Sequence, residues 1–413
     1  MAHVKGLKCT VCGLEAAVEG MQYSCEKCAG NLDVVYDYKA VGRKLTREAL
    51  AKNTDMSAWR YWDLYPLEDR GNIMPLQIGW TPLYRAKKLE ARLGLGPGAV
   101  WVKDDGRNPS ASFKDRASSV AVAKALELGF DKICGASTGN AASSTACLCA
   151  SLGMSPIIFV PASAPKAKIA QLLVFGAKVF TVNGTYDEAF DLCLEASAEY
   201  GWYNRNTGYN PYTREGKKSC SFEICEQLGW EVPDYVLVPV GDGNILSGIW
   251  KGFRDLLAVG LIDRAPRLVA VQSEKSSAVA DAVLGDGTIR PVRATTVADS
   301  ISVDLPRDGR MAAAAVRESG GTAVKVSDEA ILEMITTLAR TCGVFAEPAG
   351  AASAAGLKQM IDDGTLKGPE KIVCLVTGSG LKDVESAVKV AGSPVPIDPS
   401  MASLKDAVKG MSL

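Results

Sequence analysis

Asn108-Pro109-Ser110-Ala111-Ser112-Phe113-Lys114-Asp115-Arg116-Ala117 runs from a polar, turn-prone approach into a helical continuation that reaches Leu128. An Asn-Pro step favours extended or turning backbone, so Lys114 stands where a turn gives way to a helix. Taken alone, that describes a surface lysine in a capped first turn. The alternative is a lysine that forms an imine with an aldehyde cofactor. The stretches on either side decide between the two.

On both sides short apolar runs alternate with amphipathic ones. Ala99–Lys103, Lys132–Ala136, Pro156–Val160, Lys178–Val182, Tyr235–Val240, Leu268–Gln272 and Lys371–Val376 read as strands. Residues 115–129, 140–152, 165–175, 185–199 and 246–257 read as helices. Buried strands alternating with helices of about 10–15 residues mean parallel βαβ units. The fold class is therefore α/β with open sheets, in which ligands bind at the carboxyl ends of strands. Residues 283–311 are rich in turn formers, carry Thr295–Ser302, and read as an irregular excursion bordering the site or an interface.

Composition narrows the function. The chain has 413 residues, 47% hydrophobic and 23% charged, with a formal net charge of −1. That argues against nucleic-acid or membrane-surface binding driven by basic charge. No apolar run is long enough to span a bilayer, and the first residues lack the apolar core of a signal peptide. A cytoplasmic protein with no nucleic-acid or membrane partner is expected. The sole histidine is His3, so a Ser-His-Asp triad or a His-ligated zinc hydrolase has no side chain to use. The chemistry must rest on lysine, carboxylates, hydroxyls, a metal or a cofactor.

Four of the twelve cysteines form two pairs, Cys9-x-x-Cys12 and Cys25-x-x-Cys28. Two such knuckles place four thiolates around a tetrahedral zinc and leave no coordination position open, which describes a structural ribbon rather than a catalytic centre. A degraded ribbon or a redox pair is the alternative. The other cysteines mostly sit in apolar patterns and read as free buried thiols. Residues 40–75, with Trp59, Tyr61, Trp62 and Tyr65, read as a linker with short helices packed on the main body.

Three loops follow strands where an α/β ligand site belongs. Ser137-Thr138-Gly139-Asn140 leads directly into a helix, and such an N-terminus offers N–H groups and hydroxyls to an anion; simple N-capping explains it as well. Gly241-Asp242-Gly243-Asn244 also enters a helix, and its glycines let the backbone approach a phosphate. It is neither a Walker loop nor a dinucleotide fingerprint. Thr377-Gly378-Ser379-Gly380 puts a hydroxyl at a strand end, where it can bond a heteroaromatic nitrogen or simply close a turn. Together with Lys114 these loops make a kit for pyridoxal phosphate: an amine for the aldehyde, a cradle for the phosphate, a partner for the ring nitrogen. A second anion loop then suits a substrate bearing carboxylate or phosphate.

In this combination the chain resembles the fold-type II pyridoxal phosphate enzymes (tryptophan synthase β-like), and within them the threonine synthases. The likeness runs over Gly79-Trp-Thr-Pro-Leu83, Asn108–Arg116, Ser137–Asn140, Asn210-Pro211 with Glu215-Gly216, Gly241–Ile245, Glu347–Ser353 and Thr377–Asp383. It implies two open, mainly parallel sheets and an N-terminal zinc ribbon. It implies a ribbon over 1–38, a large cofactor-binding domain over 39–114 and 206–413, and a small domain over 115–205. It makes Lys114 the cofactor's covalent anchor and later its acid and base. Asn140 would bond the cofactor's 3′-oxygen, Gly241, Asp242, Gly243 and Asn244 would cradle its phosphate, and Thr377 would face its ring nitrogen. Ser112, Ser137, Thr138 and Arg214 would hold the substrate, with Cys9, Cys12, Cys25 and Cys28 on zinc. Arg214 falls one place after the family's Asn-Pro-x-Arg, where this chain has Thr213. The implied reaction is O-phosphohomoserine and water to threonine and phosphate, in a homodimer. A paralogue doing β-replacement or elimination stands beside it, as a cysteate synthase on O-phosphoserine or a threonine/serine dehydratase. So does a catalytically silent zinc-ribbon interaction protein.

Overall fold

The structure is a computed structural model and describes residues 3–366, 368–409 and 411. At the N-terminus β1 (Val4–Cys9), β2 (Glu15–Ala16) and β3 (Leu32–Tyr36) form an antiparallel sheet in the order β2-β1-β3. Two larger sheets carry the alternation read from the sequence. One is built from β4 (Leu83–Arg85), β5 (Val100–Asp104), β10 (Tyr235–Pro239), β11 (Arg267–Ser273), β12 (Thr322–Val326) and β13 (Ile372–Val376). Its order is β12-β11-β10-β13-β5-β4, parallel except where β4 runs against β5. The other, in the order β8-β7-β6-β9, is parallel throughout and comprises β6 (Ile133–Ala136), β7 (Ile157–Pro161), β8 (Lys178–Val182) and β9 (Tyr203–Asn204). The expected two open, mainly parallel sheets are therefore present.

Strands β6, β7, β10 and β13 are buried at every position. Helices cover both faces of such sheets, which is why these strands read as unbroken apolar runs rather than alternating ones. β12 and the helices Asp328–Cys342 and Pro348–Asp362 extend the rhythm past the segments read as regular from sequence. β9 is two residues long, too short to leave a periodic trace. Between Leu284 and Gly309 the only regular element among the described residues is the short turn of helix Asp299–Ile301. No helix among the described residues is long and apolar enough to cross a membrane.

The large sheet reverses its strand order beside β10: β11 and β12 lie to one side, β13 and β5 to the other. At such a switch point the loops leaving two neighbouring strands part and open a crevice. The loops after β10 and β13 are Gly241–Asn244 and Thr377–Gly380. The loop after β6, Ser137–Gly139, faces them from the small sheet, since all three border one cavity or its rim.

Candidate active site

The helix Lys114–Glu127 begins at the lysine itself. Its first turn is held from both sides by buried charges. The Asp115 carboxylate accepts from Ser110 N at 2.6 Å and Ser110 Oγ at 2.5 Å. Arg116 donates to Asp105 and Glu223, each at 2.5 Å, and to Ser219 Oγ at 2.8 Å, with every partner buried. Such paired, desolvated groups tolerate little movement, because each would otherwise be left uncompensated. The approach to the lysine is also stitched to the end of β13. Phe113 N donates to Thr377 O at 2.8 Å, and Ser379 N donates to Ala111 O at 3.0 Å. Backbone bonds thus set Lys114 beside Thr377, although 262 positions separate them.

Lys114, Ser137, Thr138, Asn140, Gly241, Asp242, Gly243, Asn244 and Thr377 line one cavity of about 660 Å³. The N–H groups of Gly241, Asp242, Gly243 and Asn244 make no hydrogen bond among the described residues. They precede the helix Asn244–Ala258, whose dipole adds to their pull on an anion. The glycines are needed for space. A Cβ on Gly241 would sit 2.9 Å from Ile301 Cα, and one on Gly243, already at φ +89°, 2.8 Å from Asp308 O. Asn140 Nδ2 donates to Glu347 at 2.9 and 3.1 Å and to Ser300 Oγ at 3.3 Å.

Burial dominates the electrostatics. It pushes the Lys114 amine below its usual range, helped by the Arg205 guanidinium and opposed by Asp242 and Glu347. It lifts the Asp242 carboxyl to about 7 and moves Glu347 upward. A downward shift of the amine favours the nucleophilic form that imine chemistry needs. Lys114 makes no hydrogen bond or ion pair among the described residues.

Two expected site residues lie elsewhere. Ser112 is fully buried, bridged to Gly378, and its Oγ has no partner among the described residues; it supports the lysine turn from beneath. Arg214 points away from the cavity and donates to Asp308 at 3.0 Å, Asp33 at 3.2 Å and Leu32 O at 3.1 Å. One residue along a helix turns a side chain by about 100°, so the register difference at Thr213 places the arginine on another face. Thr213 is itself buried, with Oγ donating to Asn210 O at 2.8 Å. Arg205, Asn206, Thr207, Lys217, Tyr186 and Ser300 also line the cavity and were not singled out from the sequence. The Arg205–Thr207 stretch follows β9, so the strand-end rule would have found it had β9 been visible.

The four N-terminal cysteines converge as their spacing predicts. Their sulfurs all lie within 4.8 Å of one another, with Cys9 and Cys28 at 3.5 Å and Cys12 and Cys25 at 3.6 Å. Sulfurs about 2.3 Å from a tetrahedral zinc lie roughly 3.8 Å apart, so the set fits that ion.

The family model for pyridoxal-phosphate dependent enzymes matches residues 74–378. The threonine synthase of Methanocaldococcus jannaschii is 38% identical over 97% of this chain and 99% of its own length. That of Methanosarcina acetivorans is 38% identical over 98% of each, and that of Mycobacterium tuberculosis 36% over 82% and 92%. The chain belongs to the pyridoxal-phosphate dependent enzyme family, on its threonine synthase branch. Among solved structures, tomato threonine deaminase isoform 2 superposes with a TM-score of 0.63 at 22% identity, covering 80% of this chain and 82% of that one. Maize serine racemase gives 0.63 at 19%, over 80% and 93%. At these identities the two structures speak for the fold alone.

The cavity suits the family's cofactor on its own evidence. It offers an amine unpaired among the described residues, a run of N–H groups without partners among them at a helix start where Gly241 and Gly243 leave no room for a Cβ, and a strand-end hydroxyl. Those are the donor types that an aldehyde, a phosphate and a pyridine nitrogen require.

Proposed function

We propose that the protein converts O-phosphohomoserine and water into threonine and phosphate. The observation that carries this reading is the match to threonine synthases over nearly the whole of both chains. In this reading Lys114 anchors pyridoxal phosphate, Gly241, Asp242, Gly243 and Asn244 hold its phosphate, Asn140 its 3′-oxygen, and Thr377 its ring nitrogen. A hydroxyl at Thr377 is neutral and, unlike a carboxylate, does not favour a protonated ring.

Bound pyridoxal phosphate supplies an electron sink that acidifies the proton on the substrate's Cα. The remaining work falls to the chain. Ser137 and Thr138, with the N–H groups at the start of the helix Asn140–Ser151, hold the substrate's carboxylate. Lys114, its amine pushed downward by burial, takes the Cα proton and returns protons as the reaction proceeds. The backbone bonds to Thr377 hold its first turn in place meanwhile. A proton is also taken from Cβ; its C–H electrons form the Cβ–Cγ double bond as phosphate leaves from Cγ with the C–O electrons, a proton is returned at Cγ, and water gives its hydroxyl to Cβ and its remaining proton to the phosphate. The Cys9, Cys12, Cys25 and Cys28 set holds a structural zinc that braces the ribbon.

Product analysis tests the reading. Holoenzyme is given O-phosphohomoserine, O-phosphoserine with and without sulfite, and threonine. Threonine and phosphate in equal amounts are expected from the first alone. Cysteate from O-phosphoserine and sulfite, or a keto acid from threonine, with no threonine from O-phosphohomoserine, overturns it.

A further inference from the structure

One buried carboxyl group in the cavity has no part in the reaction described above. Glu347 is 4% exposed and lines the cavity, yet it forms no ion pair among the described residues. A buried charge without a counter-ion is costly to keep. Hydrogen bonds from both sides of the cleft offset that cost.

Glu347 precedes the helix Pro348–Asp362 and is fastened to the loop after β13. Its N–H donates to Gly378 O at 3.0 Å, and Gly380 N donates to Phe345 O at 2.8 Å. Gly378, next to Thr377, leaves the space that the carboxylate fills, since a Cβ there would lie 2.6 Å from Glu347 Cδ. From that seat the carboxylate reaches the helix Asn140–Ser151. Asn140 Nδ2 donates to Oε1 at 2.9 Å and to Oε2 at 3.1 Å. Ser300 Oγ adds a longer bond to Oε2 at 3.5 Å. The loop that carries Thr377 and the helix start that carries Asn140 thus meet at one side chain.

An asparagine amide has one end that donates and one that accepts, nearly alike in shape. The ionised 3′-oxygen of pyridoxal phosphate needs the donor. A carboxylate only accepts, so it draws Nδ2 toward itself and turns Oδ1 away. Nδ2 carries two hydrogens, and Glu347 takes one. The other is left to Ser300 Oγ at 3.3 Å, a long contact to a neutral hydroxyl that a charged oxygen displaces. Burial pushes the Glu347 carboxyl upward and Asp383 adds to the push, while Asn140, Lys382 and Lys114 oppose it. Lys382 is fixed nearby, with Nζ donating to Ser110 O at 2.9 Å and Ser143 Oγ at 3.0 Å.

We propose that Glu347 is a positioning residue: its carboxylate orients the Asn140 amide so that an N–H, and not the carbonyl, meets the cofactor's 3′-oxygen. The inference rests on the cofactor reading above, in which Asn140 holds that oxygen, and not on the identity of the substrate.

The test reads the absorbance of lysine-bound cofactor in holoenzyme without substrate. Forms with the 3′-oxygen ionised and neutral absorb at different wavelengths, and a donor to the oxygen favours the ionised one. Asn140→Ala, Glu347→Leu, the double variant of these two, and Glu347→Gln are compared with the unaltered enzyme. Glu347→Leu moves the ratio about 3- to 30-fold toward the neutral form, as loss of one charge-assisted bond requires, and so does Asn140→Ala. Glu347→Gln, which can accept from Asn140 but can also donate to it, lies between. The double variant moves no further than Asn140→Ala alone, because both changes act through one bond. An unchanged ratio in Glu347→Leu beside a shifted one in Asn140→Ala overturns the proposal and leaves Asn140 its role. Shifts that add in the double variant also overturn it, since Glu347 then acts on the cofactor by another route. If Asn140→Ala itself changes nothing, the assignment of Asn140 to the 3′-oxygen fails and the proposal with it. A wrong substrate shows only in the product analysis and leaves these spectra as they are. Should Glu347→Leu fail to fold, Glu347→Asp, one methylene short of Asn140, gives the same shift and the same non-additivity.

Discussion

Lys114 owes its position to its neighbours. Asp115 and Arg116 point into the protein and are fully bonded, so the helix cannot rotate the lysine out of the cavity. Lys114→Ala leaves those anchors intact. The variant folds, shows no absorbance of lysine-bound cofactor when pyridoxal phosphate is added, and loses about 10²–10⁴ in kcat. Retained absorbance would show that another amine holds the cofactor. Arg214 makes the opposite prediction. Arg214→Leu strands Asp308 without its partner, and breaking a buried pair costs about 3–5 kcal/mol, to be read in urea unfolding. Unchanged stability with a raised KM would return Arg214 to the substrate.

In the proposed reading the loop after β10 carries a carboxyl beside the cofactor's phosphate, and burial lifts Asp242 to about 7. Below that pH the group is neutral; above it a negative charge opposes the cofactor's phosphate. Cofactor affinity therefore falls as pH rises through 7, by up to about tenfold per unit, and Asp242→Asn flattens the profile. An absorbance titration at several pH values checks this, and a wild-type profile that rises with pH refutes it. The sign is the same for the fold. A raised folded-state value favours the protonated chain, so the stability from Asp242 is present at acid pH and lost as pH climbs through 7. This loop was legible from sequence because glycine spacing, a preceding strand and a following helix all lie between Tyr235 and Ala258. Lys114 and Ser137–Asn140 were legible for the same reason. Arg205 and Lys217 were not, since what marks them is the absence of a carboxylate in space, and no linear pattern records that. Arg214, one helical position from the family's arginine, is engaged by Asp308 and Asp33 rather than lining the cavity, because sequence spacing does not fix side-chain direction.

The ribbon is wired to the cavity through side chains. Asp33 on β3 holds Arg214 and Lys251; Arg214 holds Asp308; Asp308 accepts from Asn244 Nδ2 at 2.8 Å at the start of the helix behind the phosphate loop. Asn31 Nδ2 reaches Asp308 directly at 3.0 Å. The ribbon also touches the small sheet, where Tyr23 Oη accepts from Asn204 N at 2.7 Å and its ring stacks on Tyr209 at 4.6 Å. In the reading proposed above, a metal at Cys9, Cys12, Cys25 and Cys28 would fix the knuckles next to Asn31 and Asp33, and these in turn would fix the loop. Removing it, by a chelator or by Cys12→Ser, frees Asp33 and leaves Arg214 half-paired. At about 3–5 kcal/mol for a broken buried pair, the Tm falls on the order of 10 °C, and cofactor dissociates more readily in an absorbance titration. The two effects appear together because one chain of ion pairs and a hydrogen bond carries both. If the metal leaves with Tm and cofactor affinity unchanged, the ribbon is an appendage, and the contacts from Asp33 to Asn244 hold without it.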